Sequence, residues 1–164
     1  MKNAAYIPGK IVSAARAGQI IQSWKIKDKR VAFTNGCFDI LHEGHIFSLS
    51  EAAKEADYLI VGVNSDVSVK TLNKGPNRPI NNEHSRALLL ASLVMVDLVI
   101  IFEEETPRQL ISLLLPDVLV KGGDYTIEQI EGAKEVIANG GKVVVNSILD
   151  GFSTTGIIEK MKKA

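Results

Sequence analysis

Cysteine is almost absent: Cys37 is the one thiol in 164 residues. An internal disulfide is excluded, and a reducing compartment is the simpler expectation. Long apolar runs are missing as well. LLLASLVMV at 88–96 meets Asp97 well short of the ~20 residues that a bilayer span needs. The amino end, MKNAAYIPGK, lacks the apolar core of a secretory signal. Neither sign of charge is in surplus, because 19 basic and 19 acidic side chains cancel. A broad basic face for nucleic acid or an anionic membrane is therefore not expected, although a zero sum can hide a local basic pocket. These absences lead us to expect a soluble cytoplasmic protein with neither nucleic acid nor membrane as partner.

What remains is an ordinary globular composition, 46% apolar and 23% charged. The length suits a single domain over 1–164, with residues 1–29 as an amino-terminal helix and lead-in. The pattern predicts a helix over 10–25, then a short buried strand at Arg30–Thr34 (RVAFT). A helix follows at Gly44–Ala56, a strand at Tyr58–Val63, and a short helix capped near Asn64-Ser65-Asp66. TLNKGPNRPINN at 71–82 reads as a loop. Beyond it we expect a helix over 83–95 and a strand over 97–102. Thr106 should cap the next helix, with Pro107 first inside and Gln109 reaching back. A strand at Val118–Lys121 and a helix from Thr126 to about Ala138, opened by a Thr126/Gln129 capping box, come next. Asn139-Gly140-Gly141 ends that helix, Lys142–Asn146 is the last strand, and a closing helix starts near Thr155. Short β-branched strands alternating with helices predict an α/β, Rossmann-like, doubly wound sheet of about five parallel strands. Ligands of such sheets lie outside the carboxyl ends of the strands.

The most informative segment is TNGCFDILHEGH at 34–45. It leaves the first strand and enters the first helix after it. Gly36 permits close backbone approach to a ligand. His42 and His45 flank a helix start whose outward N–H groups favour an anion. Two imidazoles there can donate hydrogen bonds to phosphoryl oxygens, and Gly44 leaves room for them. A zinc site needs further ligands. Cys37 and Asp39 sit across a tight turn and no second His/Cys pair exists, so no metal ligand is assigned. Trp24, Met95 and Phe102 read as packing residues and His84 as surface.

TNGCFDILHEGH resembles the signature of the cytidylyltransferase-like nucleotidyltransferases. VGVNSD (61–66), NRPIN (77–81), MVDLVIIFEEETP (95–107), LLPDVLVKGGDY (114–125) and GFSTTGII (151–158) resemble, in order, the bacterial heptose-1-phosphate adenylyltransferases. Those occur as separate chains or joined to a kinase half, for which 164 residues leave no room. The resemblance implies ATP and a sugar 1-phosphate as substrates, Mg²⁺ carried with the triphosphate, and His42 and His45 as the catalytic pair. It implies nucleotide or phosphate contacts from Thr34, Asn35, Gly36, Cys37, Phe38, Gly44, Arg86, Lys121, Gly122, Gly123, Asp124, Tyr125, Ser153, Thr154 and Thr155. It suggests Asp39, Asn64, Lys70, Lys74 and Arg78 for the sugar phosphate. Relatives often form dimers, which leaves a homodimer open. The alternative is a CTP-dependent enzyme acting on glycerol 3-phosphate. Ile148 stands where that branch often has arginine, and Ile158 where many relatives carry a basic residue.

Overall fold

A computed structural model describes residues 5–72, 75, 77–149 and 151–163. Its centre is a five-stranded parallel sheet of β1 (Val31–Gly36), β2 (Tyr58–Asn64), β3 (Leu98–Phe102), β4 (Val118–Gly122) and β5 (Lys142–Asn146). The order is β3-β2-β1-β4-β5, with every pairing parallel. The chain runs outward from β1 through β2 to β3 and then crosses to β4, so the order reverses beside β1.

Each face of the sheet is covered, which is why its central strands can be apolar almost throughout. On one face lie α2 (Ala14–Lys25), α6 (Arg108–Leu114) and α7 (Ala133–Ala138). Ala17, Ile21, Leu110, Ile111, Leu114 and Val136 pack there against Phe33, Ile60 and Leu119. The other face carries α3 (Glu43–Ala53) and α5 (Glu83–Ala91). Leu49, Ala52, Ala87 and Leu90 meet Val61, Val63 and Val120 on that side.

Strand register is set at the amino ends by three aspartates. Asp57, Asp97 and Asp117 each precede a strand and accept an N–H from the neighbouring strand. The donors are Arg30 at 2.9 Å, Leu59 at 2.8 Å and Val31 at 2.8 Å. A parallel ladder leaves such end N–H groups unpaired, so the carboxylates remove a cost of at most about 1–3 kcal/mol each at the part-buried Leu59 and Val31 donors. The outer edge of β3 is blunted by the lead-in. Val12 N–H donates to Val99 O and Val99 N–H to Lys10 O. Free edges invite pairing with other chains, and this segment covers part of one.

Several expected boundaries shift. The helix over 10–25 is two pieces, α1 (Tyr6–Gly9) and α2, because residues 10–12 join the sheet edge. Ser13 caps α2 by accepting from Arg16 N–H. α4 (Asp66–Thr71) starts behind Ser65, as its cap residues suggest. α5 stops at Ala91, short of Met95. Thr106 does not cap α6. That helix starts one residue later, and Pro107 takes the cap position without a side-chain bond. The Thr126/Gln129 box forms, with Gln129 Oε1 accepting from Thr126 N–H at 2.9 Å. It opens only one 3₁₀ turn, Ile127–Gln129, and Gly132 at φ 84° breaks the chain before α7. A Cβ on Gly132 would sit 2.7 Å from Ile111, so the break is fixed by close approach to α6.

Candidate active site

One open cleft of about 570 Å³ lies at the carboxyl ends of β1 and β4, beside the point where strand order reverses. That is where ligands of doubly wound sheets bind. Thr34, Asn35, Gly36, Cys37 and Phe38 form its floor. His42, Gly44, His45 and Ser48 come from α3, and Lys121, Gly122 and Tyr125 from the end of β4. Ile148, Leu149, Phe152, Ser153, Thr154 and Thr155 close it from the carboxyl-terminal segment, with Arg78 on the remaining wall. Among the described residues the lining holds two cationic side chains, Lys121 and the Asp39-paired Arg78, and no carboxylate.

The turn after β1 is built to present α3. Phe38 takes a left-handed backbone at φ 48°, which costs a bulky residue energy and needs support from its surroundings. Its ring meets the His45 ring edge-on, centroids 5.2 Å apart. A Cβ on Gly36 would lie 3.0 Å from that ring, so only glycine fits beneath it without a shift. His42 is the N-cap of α3 in an extended conformation, and its side chain makes no capping bond. His45 N–H donates to His42 O at 2.9 Å, while the N–H groups of Glu43 and Gly44 precede the first helical bond and suit an anion.

His42 and His45 stack, with centroids 3.8 Å apart and planes 22° off parallel. The Nδ1 of His42 is shut off from solvent and lacks a hydrogen-bond partner among the described residues. Burial lowers the pKa of His42 and so favours its neutral ring, which can donate from one nitrogen. Gly44 is buried against this ring. A Cβ there would lie 3.1 Å from His42 Nδ1 and 3.1 Å from Phe152 Cβ.

The hydroxyl segment serves two purposes. Ser153 Oγ accepts from Gly156 N–H at 3.0 Å and so caps the helix α8 (Thr154–Lys163). Thr154 is buried and its Oγ1 donates to Ile40 O at 3.5 Å, while Thr155 is exposed. All three line the cleft opposite the histidines.

Some residues assigned from sequence do not reach the cleft. Arg86 is fully buried. Its guanidinium donates to Cys37 O at 2.6 Å, Asn81 O at 3.0 Å and Asp66 Oδ1 at 2.7 Å. It holds the turn after β1 against α4 and α5 instead of facing a phosphate. Asp39 is likewise buried and accepts from Arg78 Nε at 2.7 Å and from the N–H groups of Ile80 and Asn81. It therefore aims Arg78 at the cleft wall and does not face a sugar hydroxyl. Asn64 is buried between Cys37 Sγ and Ser68 Oγ. Gly123 and Asp124 flank the lining, Lys70 is exposed on α4, and Lys74 lies outside the described residues. Ser48, Leu49, Ile148, Leu149 and Phe152 were not expected. Ser48 sits three residues after His45, so helical spacing on α3 was a usable signal for it. Ile148 and Leu149 gave none.

Among the described residues no group of three or more His, Cys, Asp or Glu side chains could hold a metal ion. No described helix is long and apolar enough to cross a membrane.

A strand-to-helix turn bearing two histidines and a hydroxyl-rich helix start thus share one cleft at the carboxyl end of a Rossmann-like sheet. Residues 33–160 match the cytidylyltransferase-like family model. The chain belongs to that family of nucleotidyltransferases. It is 52% identical over 152 residues to the bifunctional protein HldE of Paramagnetospirillum magneticum, an alignment covering 93% of this chain and 31% of that protein. The HldE of Caulobacter vibrioides is 51% identical, with 94% of this chain and 32% of the relative covered. The chain thus spans about a third of the length of these curated relatives. Among solved structures, the lipopolysaccharide core biosynthesis protein of Thermoplasma volcanium superposes with a TM-score of 0.60 at 30% identity. That match covers 74% of this chain and 97% of the other. A pantoate–beta-alanine ligase from Francisella tularensis, at 17% identity and a TM-score of 0.58, shares the fold.

Proposed function

We propose that residues 1–164 act as one adenylyltransferase domain that moves AMP from ATP to a heptose 1-phosphate and releases pyrophosphate. The observation that carries this reading is the stacked His42–His45 pair at the start of α3, where no side chain caps the helix, in a cleft that Arg78 and Lys121 also line. The HldE relatives and the lipopolysaccharide protein support the sugar. Packing of Ala17 and Ile21 into the core supports counting the lead-in with the same unit.

An oxygen of the sugar phosphate attacks the α-phosphorus of ATP, and the bond from that phosphorus to the β-bridging oxygen breaks. Both nucleophile and leaving group are already anionic, so alignment and charge stabilisation dominate over proton transfer. His42 and His45 donate to the α-phosphate as charge shifts in the transition state. The N–H groups of Glu43 and Gly44 and the hydroxyls of Ser153 and Thr155 hold the outer phosphates. Arg78, aimed by Asp39, meets the sugar phosphate, and Lys121 with Gly122 and Tyr125 faces the nucleoside. Mg²⁺ would arrive on the triphosphate. Mg²⁺ so carried supplies charge neutralisation.

The test is pyrophosphate release with Mg²⁺, heptose 1-phosphate and each of the four nucleoside triphosphates in turn. Release with ATP alone is expected. Release with CTP alone would move the chain to the cytidylyltransferase branch, and silence with all four would refute the sugar acceptor.

A further inference from the structure

The segment that brings Arg78 to the cleft has little apolar footing. None of residues 77–82 belongs to either core cluster, and Asn77 and Ile80 are exposed. Pro79 has no N–H to bond with. The segment is held by hydrogen bonds to the turn after β1, and Asn81 makes most of them. Its N–H donates to Asp39 Oδ1 at 2.9 Å and its carboxamide donates to Asp39 O at 2.6 Å. Its own carbonyl accepts from Arg86 Nε at 3.0 Å, and Arg86 also donates to Cys37 O. Asn81 is thus tied to the turn at Asp39 directly and at Cys37 through Arg86.

Arg78 stands three residues earlier. Asp39 Oδ2 accepts from its Nε at 2.7 Å, and its side chain is 10% exposed where it lines the cleft. With Nε so engaged, the terminal amino groups are what the guanidinium can present to an anion. Their direction depends on how residues 78–81 sit against Asp39. The backbone bonds of Asn81 and of Ile80 N–H survive a change of side chain at position 81. The carboxamide bond does not, and the carbonyl of buried Asp39 then loses that donor.

We infer that Asn81 is a positioning residue for the sugar-phosphate acceptor, its carboxamide locking residues 78–81 onto the turn after β1 so that Arg78 meets the acceptor's phosphate. This rests on the proposed reading of the cleft, in which Arg78 makes that contact. A hydrogen bond of this kind is worth about threefold to tenfold in binding. The loss should fall on the acceptor and spare the nucleotide, whose partners lie on other walls.

The experiment compares wild type with Asn81→Ala, Asn81→Leu, Arg78→Gln and the double variant Arg78→Gln/Asn81→Ala. KM for heptose 1-phosphate is measured with saturating ATP and Mg²⁺, ATP affinity by calorimetry, and stability by thermal melts. Both Asn81 variants should raise the acceptor KM about threefold to tenfold, with kcat within about threefold and ATP Kd within about twofold of wild type. Their melting temperatures should stay within about 4 °C. The double variant should be no worse for the acceptor than Arg78→Gln alone, because Asn81 acts through that arginine. An unchanged acceptor KM in Arg78→Gln, or no turnover of heptose 1-phosphate by wild type, refutes the proposed reading and the inference with it. If Arg78→Gln raises the acceptor KM and both Asn81 variants leave it at the wild-type value, the inference alone is overturned. Multiplying losses in the double variant overturn it as well, as does an equal loss of ATP affinity or a larger fall in melting temperature, since Asn81 would then support the cleft as a whole.

Discussion

Gly44→Ala separates the catalytic geometry from the stability of the fold. The added methyl carbon would sit 3.1 Å from His42 Nδ1, 3.2 Å from His42 Cε1 and 3.1 Å from Phe152 Cβ. Comfortable carbon contacts lie at about 3.5–4.0 Å, so the His42 ring has to retreat by roughly 0.4–0.9 Å. It is stacked on His45 on one side and faces Phe152 on another, so the retreat disturbs the pair. A misplacement of about 1 Å at a reacting centre costs on the order of 100-fold. We expect kcat to fall about 10- to 100-fold. The fold should hardly notice. Alanine in a helix gains about 0.5–1 kcal/mol over glycine, which offsets much of the crowding. For a chain of this size 1 kcal/mol is about 2–4 °C, so the melting temperature should move by no more than that. The assay is steady-state pyrophosphate release beside a thermal melt. Wild-type turnover in a well-folded Gly44→Ala protein would refute the claim that the methyl displaces a catalytic ring.

Three further outcomes follow from the same geometry. His42→Ala should lower turnover about 100-fold or more, the scale of one lost oxyanion donor, with an unchanged circular dichroism spectrum. Arg86→Met should cost about 3–5 kcal/mol, since it strands two buried carbonyls and unpairs Asp66; a melting temperature lower by on the order of 10 °C is the expected reading. Burial holds the folded pKa of His42 below its unfolded value, so the unfolded chain binds more protons in that window. The stability this brings is fully present above about pH 6.5 and is lost as pH falls through the lowered value. Melts at pH 7.5 and 5.5 should show a larger drop for wild type than for His42→Gln.

Much of this was legible in the sequence because it depends on local rules. The five strands are short, β-branched and flanked by turns, and Lys142–Asn146 falls where the pattern puts it. The start of α3 follows from HEGH itself, although the helix begins at Glu43, one residue before the expected Gly44. The misses arise where distant contacts decide. Residues 10–12 leave the helical pattern to bond to Val99, some ninety residues away in sequence. Gly132 breaks a helix because Ile111 is packed against it. Arg86 and Asp39 look like ligand-facing charges in sequence, and nothing local shows that each is claimed by backbone groups of another segment.

The central claim is that the α-phosphate of ATP is what moves. Parallel reactions with heptose 1-phosphate and ATP labelled at either the α- or the γ-phosphorus, resolved by chromatography, test it directly. The account predicts α-label in a sugar nucleotide and γ-label in pyrophosphate. Label from the γ-position on the sugar, or α-label left in free ADP, would contradict it.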